Sequence, residues 1–285
     1  MSGISIRRIV VDDSMIMYFD AANSSYINVA PGTSSVQGSL GALGVQYPTF
    51  SGTIPSDLSK NAGYSTIANS TTYTTFGGGS YYFTGTEYMN TSYSQLNVPY
   101  VGKTIMCCAY IPEGGFNAGL QGLPNYGFRA LFAKPNSTGT PVGQNIGRNW
   151  NFYIYDDNTG NGYQYHFSCY ASAGLSGYLP KTGDNAVDGG RWFVGAFTQD
   201  SLGLSSFYHN GVLMATYSGQ LIQYINHTID GERIGASGTN AIGYNGGAFW
   251  KGCISTVLIY SRCLTADEIK QNYNVYSYRY NLPKI

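Results

Sequence analysis

The chain of 285 residues balances fifteen Lys and Arg against fifteen Asp and Glu, and charged residues make up only 11% of it. With a net charge of zero and no run of basic residues, it lacks the electrostatic footprint of a nucleic-acid binder. Its 38 Gly and 10 Pro fall below the share of a disordered low-complexity chain, while 27 Tyr and many Ser, Thr and Asn point to an all-β protein. Such a length buries a sizeable core without metal or disulfide staples, so one domain over 1–285 is expected, with long loops at about 27–70 and 112–148. No window is apolar enough for a membrane span, and Asp12 and Asp13 break the short apolar run that follows Arg7-Arg8, so no secretory signal is read there.

A strand over 14–20 opens the predicted order, and 27–70 reads as Gly-, Ser- and Pro-rich loop. Strands follow near 80–83, 87–91 and 103–111. The stretch 112–148 then carries Gly or Pro every few positions. Further strands are expected near 150–155, 163–170, 191–198, 204–209, 212–217, 221–225, 231–235 and 249–260. Asn210-Gly211 between two alternating runs signals a hairpin with a type I′ turn, and Asp230-Gly231 is a weaker signal of the same kind. Over 249–260 strict alternation sets Ile254, Thr256, Leu258 and Tyr260 on one face and Cys253, Ser255, Val257 and Ile259 on the other. Both faces are largely apolar, so the strand is expected inside a sheet packed on two sides. Thr265 and Glu268 form a capping box for a helix over 266–273, with Leu264 and Ile269 at the staple positions and Ile269 and Tyr273 facing the sheet.

Catalytic signatures are sparse. Only four Glu residues exist (Glu87, Glu113, Glu232 and Glu268), and none has a second carboxylate two to five residues away on a strand, as paired-acid glycoside hydrolysis prefers. His166, His209 and His227 show no metal spacing, and His209, just before a turn, reads as ordinary surface. No Gly-x-Ser-x-Gly elbow, P-loop or Cys-x-x-Cys pair occurs, and Gly77-Gly78-Gly79 precedes a strand instead of a helix that would hold phosphate. No catalytic residue, metal ligand or cofactor is therefore expected. Calcium is the one cofactor left open, because Asp156-Asp157-Asn158-Thr159-Gly160-Asn161-Gly162 gathers hard oxygen donors; the same string suits a hairpin turn and lacks a bidentate Glu at its end. Cys107, Cys108, Cys169, Cys253 and Cys263 are odd in number and mostly fall in predicted strands, which favours buried thiols over disulfides. Five Asn-x-Ser/Thr triplets read as by-products of composition, given no signal to reach a glycosylating compartment.

The best binding candidate is the hairpin around that loop. Trp150, Phe152 and Ile154 alternate with Asn151, Tyr153 and Tyr155; Tyr163, Tyr165, Phe167 and Cys169 alternate with Gln164, His166, Ser168 and Tyr170. The first sets read as core. The second sets make a polar face in which Asn151, Tyr153, Tyr155, His166 and Tyr170 are the candidate ligand-binding residues, since aromatic faces stack on sugar rings while Asn and His supply hydrogen bonds. A protein interface uses the same residue types.

Four segments resemble one family. The closing run Tyr260-Ser-Arg-Cys-Leu-Thr-Ala-Asp-Glu-Ile, with Asn272-Tyr273 after it, is similar to the last strand and helix of laminin-G-like, concanavalin A-like jelly rolls. Met17-Tyr-Phe-Asp-Ala-Ala-Asn resembles their opening strand and turn, and Asp57-Leu-Ser-Lys-Asn61 with Gly78-Gly-Ser-Tyr-Tyr-Phe-Thr-Gly85 resembles the next loop and strand. Arg191-Trp-Phe-Val-Gly-Ala-Phe and Ser206-Phe-Tyr-His-Asn-Gly-Val-Leu resemble the central pair. The resemblance implies a sandwich of two antiparallel sheets with one short helix at the end of the chain. Thr84 stands where many members carry Asp, which weakens an inherited metal site.

For function the resemblance implies a non-enzymatic virion structural protein: a capsid-associated, decoration or tail-fibre component of a phage or large virus, located in the virion and assembled in host cytoplasm. Its partners would be other virion proteins or copies of itself, and possible surface glycans. The alternative is a carbohydrate-binding lectin or adhesin, with a glycoside hydrolase third.

Overall fold

The computed structural model describes residues 14–21, 53–54, 65–68, 72–91, 102–113, 128–135, 148–156, 163–169, 181–183, 186–218, 233–236 and 249–285. In chain order they form β1 (Met15–Asp20), β2 (Thr53–Ile54), β3 (Ser65–Ala68), β4 (Thr72–Thr74), β5 (Ser80–Thr84), β6 (Tyr88–Thr91), β7 (Lys103–Tyr110), β8 (Phe128–Pro135), β9 (Arg148–Asp156), β10 (Tyr163–Cys169), β11 (Trp192–Gln199), β12 (Ser205–His209), β13 (Val212–Tyr217), β14 (Arg233–Ile234), β15 (Lys251–Tyr260) and the helix α1 (Ala266–Ser277).

Two antiparallel sheets result, as expected of a jelly-roll sandwich. The first has the order β13-β12-β11-β7-β15-β5-β4; β15 is long enough to pair with β5 through Lys251–Ile254 and with β1 through Thr256–Tyr260. The second has the order β10-β9-β8-β14-β6-β3-β2. Its register carries Met89, Ile234, Phe132 and Phe152 in one row across four strands. That row meets Ile105, Cys107, Phe193, Phe197, Phe207, Val257 and Ile259 of the first sheet in a closed apolar core.

The first sheet is packed on its other face as well. Met106, Cys108, Trp192, Val194, Leu258 and Tyr260 meet Leu264, Ile269, Tyr273, Tyr276 and Tyr280 from α1 and its flanks. This is the two-sided burial that the apolar run of β15 predicts, but the faces differ from strict alternation. Ile254 joins Val257 and Ile259 between the sheets, while Cys253 joins Leu258 and Tyr260 under the helix. A register shift between Ile254 and Thr256 is the cause: a bulge adds one residue and inverts the alternation beyond it.

The helix starts where the sequence places it. Thr265 Oγ1 accepts from the Glu268 N–H, and Glu268 accepts from the Thr265 N–H at 2.8 Å. It continues one turn beyond 273 to Ser277, because Tyr276 has a place in the core beneath it.

Both stretches read as loop contain strands. β2 and β3 lie within 27–70, and β8, in the interior of the second sheet, lies within 112–148. The Asn210-Gly211 hairpin is present, with positive φ at both residues (50° and 79°) and His209 opposite Val212. The strand expected at 221–225 and the Asp230-Gly231 turn lie outside the described residues. Cys107, Cys108, Cys253 and Cys263 are free thiols, the first three buried. No helix among the described residues is long and apolar enough to cross a membrane.

Candidate functional site

The hairpin singled out from sequence is β9–β10, at one end of the second sheet. Its register sets Tyr155 opposite Gln164, Tyr153 opposite His166 and Asn151 opposite Ser168, so the polar sets of the two strands share one face. Phe152, Ile154 and Tyr165 lie in the core behind it. The facial assignment made from alternation therefore holds at these positions.

What the alternation did not supply is the neighbour. β8 pairs with β9 and brings Ala133 opposite Asn151 and Ala130 opposite Tyr153. The two alanines form a low floor against which the Tyr153 ring packs. Beyond them β14 sets Arg233 opposite Ala133, and its guanidinium lies 4.6 Å from the centroid of the Tyr88 ring. Asn151, Tyr153, Gln164 and Arg233 are buried, whereas Tyr155, at the loop end of β9, is half-buried and Tyr88 likewise. Of the five candidates, Asn151, Tyr153 and Tyr155 thus share a strand face, His166 is placed with them by register, and Tyr170 lies outside the described residues, as does the 157–162 part of the proposed calcium string. Among the described residues, no three His, Cys, Asp or Glu side chains come close enough to hold a metal ion.

Four of the described carboxylates, Glu87, Glu268, Asp20 and Asp200, are engaged in architecture. Glu87 accepts from the Thr84 N–H at 2.7 Å, the Thr84 hydroxyl at 2.6 Å and the Thr86 N–H at 3.2 Å. Glu268 takes both Arg262 guanidinium nitrogens, at 2.8 and 2.5 Å, as well as the helix cap. The Arg262 hydrogen bonds are the main reason that its carboxyl is pulled down to about 2. Asp20 is held by Arg279 at 2.7 and 3.0 Å, and Asp200 accepts from the N–H groups of Leu202 and Leu204 in the β11–β12 turn.

His209 is not the ordinary surface residue its place before a turn suggests. Its Nδ1 lies 2.8 Å from the Tyr165 hydroxyl, which crosses from the other sheet, and its Nε2 lies 3.0 Å from Asn210 Nδ2. Tyr165 reaches it because residue 195 is Gly: a Cβ there would stand 2.6 Å from the ring. The sequence signal was available in Gly195, a glycine inside a strand with nothing else to explain it.

Residues 125–270 match a family described as the concanavalin A-like lectin/glucanases superfamily. The chain belongs to that superfamily. Among solved structures it is similar to the binding domain of botulinum neurotoxin DC in complex with SialylT, at 14% identity and a TM-score of 0.57 over 94% of this chain and 52% of that one. The receptor binding domain of botulinum neurotoxin type G is similar too, at 12% identity and a TM-score of 0.54 over 92% and 51%. The Ruminococcus gnavus IT-sialidase CBM40 bound to alpha2,3 sialyllactose aligns at 17% identity, a TM-score of 0.48, and 67% and 94% coverage. At these identities the likeness is one of fold, and the chain spans about half the length of the two toxin domains. No curated protein matches it.

Proposed function

We propose that this member of the superfamily is a non-catalytic carbohydrate-binding protein, a lectin or adhesin, with its ligand face on β8–β9–β10. The superfamily spans lectins and glucanases, and the observation that carries the choice is the employment of the carboxylates. Glu87 accepts three bonds that build a turn, Glu268 accepts two from Thr265 at the helix cap and two from Arg262, and Asp20 is locked to Arg279. Acid/base hydrolysis of a glycoside needs two carboxylates free to face one bond. Sugar binding needs aromatic faces beside hydrogen-bonding side chains, the combination that Tyr155 and Tyr88 offer at the borders of the alanine floor.

The test is a glycan array with the full chain, in the presence and absence of calcium, followed by titration of Tyr155→Ala. Saturable binding to a defined glycan class is expected, weakened about 5-fold by the substitution, the loss of one aromatic contact of about 1 kcal/mol, with the melting temperature unchanged. A chain blind to every glycan ends the reading. Unaltered binding by Tyr155→Ala moves the site away from β9. Tyr153 is the poorer probe, since truncating a buried ring costs about 3–5 kcal/mol of stability and confounds the result.

A second reading, the virion structural component implied by the sequence resemblance, is favoured by one observation. Val212, Leu213 and Met214 stand exposed on a strand at a sheet edge, as in a subunit that packs against its neighbours. Copurification of the chain with assembled particles from infected cells is the expected outcome there, and its absence from particles removes that reading.

A further inference from the structure

Among the described residues β13 is the outermost strand of the eight-stranded sheet, so one side of its backbone has no ladder partner there. Its side chains are distributed unusually. Val212, Leu213 and Met214 leave 50%, 49% and 43% of their surface open. Neighbouring side chains on a strand point to opposite faces, so the exposure of both Val212 and Leu213, which lie before the register shift, means that the strand is open on both. Ile285, itself exposed, lies against Gly211 at the hairpin tip and extends the apolar surface.

Proteins ordinarily blunt such an edge with charge or proline. Residues 201–229 contain no Asp, Glu, Lys, Arg or Pro. Among the described residues, the protective device is the register shift between Phe207 and Tyr208, which places Met214 in a bulge.

We propose that the β13 edge is an interface between two copies of this chain, paired antiparallel across a twofold axis so that the first sheet continues from one molecule into the other. The occupant follows from the chemistry of the edge. A partner must offer a neutral strand with apolar side chains on both faces, and a twofold lets β13 supply that surface to itself, each patch meeting its own copy. A formal net charge of zero lets the copies approach without repulsion. An anionic partner, a nucleic acid or an acidic lipid surface, would need basic residues that this segment lacks. The strand is also fixed beforehand: Asn210 Oδ1 accepts from the Val194 N–H at one end, and the Tyr217 hydroxyl donates to the Lys181 carbonyl at the other. Little ordering entropy then opposes pairing. Because β13 belongs to one sheet and β8–β10 to the other, the dimer leaves both proposed ligand faces free, and two sites on one body raise avidity for a repeated ligand.

The test is sedimentation velocity of the full chain over a concentration series, with Leu213→Lys/Met214→Lys beside it. Both side chains are exposed in the single chain, so the variant is expected to keep its circular dichroism and melting temperature at low concentration. The native chain is expected to dimerise, and the two lysines to weaken association at least about 100-fold by burying unpaired charge. Amide exchange within 212–217 should slow as the native dimer forms, and the affinity per chain for a monovalent glycan should be the same in both proteins. A native chain that stays monomeric at all concentrations overturns the proposal, as does a dimer that tolerates both lysines. A monomer that instead sediments with neutral phospholipid vesicles also overturns it and makes the patch a lipid contact.

Discussion

At the scale of single residues, His209 shows how a turn position acquires a buried role. Asn210 Oδ1 is committed to the Val194 N–H, so the Asn210 amide nitrogen faces His209 Nε2 and must donate to it. His209 then carries its proton on Nδ1 and donates to the Tyr165 oxygen. A second proton on Nε2 would set two donors against each other. Burial is the larger influence and pushes the imidazole from 6.5 down to about 4, with Asp188 pulling weakly the other way. The sign follows directly. Above about pH 6.5 both folded and unfolded chains hold His209 neutral; below it the unfolded chain takes up a proton first, so stability falls as the pH drops towards 4. Urea unfolding should lose about 2 kcal/mol through this group between about pH 7 and about pH 5. His209→Gln should flatten that part of the profile, and an unchanged slope would refute the assignment. Gly195→Ala tests the same contact sterically. A methyl group 2.6 Å from the Tyr165 ring should cost about 1–3 kcal/mol and release the Tyr165–His209 hydrogen bond, read by NMR as faster solvent exchange of the His209 Nδ1 proton.

At the scale of elements, the helix and β8 stand at opposite ends of legibility. The helix start is written in adjacent residues: Thr265, three positions before Glu268, with Leu264 and Ile269 on either side, and each makes the contact its spacing implies. Thr265→Ala should therefore cost about 1 kcal/mol in chemical denaturation. A loss near zero would mean that Arg262, which holds Glu268 from outside the cap, sets the helix start instead. β8 was hidden because its apolar residues follow one another, Ala130-Leu131-Phe132-Ala133, in a neighbourhood rich in Gly and Pro. All four are buried, and a register shift between Ala130 and Phe132 removes the alternation that would have revealed it. The bulge at Ile254–Thr256 acts in the same way, since an inserted residue is set by pairing partners far away in the chain. The facing of β9 and β10 was readable because their hairpin is regular throughout. The alanine floor and the Arg233–Tyr88 stack were not, because they join residues from β6, β8, β9 and β14 that only the sheet order brings together.

At the scale of the whole molecule, the first sheet is shared by two apolar cores, and one ion pair ties the helix-side core to the opening strand. Asp20, at the end of β1, is buried and receives two hydrogen bonds from Arg279, beyond the end of α1. Beside the pair, Tyr280 stacks on Trp192 at 4.4 Å, and its hydroxyl donates to Ser255 Oγ, which in turn donates to the Gly79 carbonyl. The segment after the helix thus joins β1, β15, β11 and the turn before β5. The pair costs desolvation on both sides, so its presence is weak evidence of net stability; breaking it is another matter. Arg279→Met leaves Asp20 charged in the interior without its guanidinium and should cost about 3–5 kcal/mol in denaturant unfolding. Asp20→Asn combined with Arg279→Met removes both charges, so the double variant should recover part of that loss, with a coupling of about 1–3 kcal/mol. Additive losses would show that the two side chains matter only through their separate packing, Arg279 against Tyr276 and Tyr280 and Asp20 within β1, and that the helix is held by its apolar face alone.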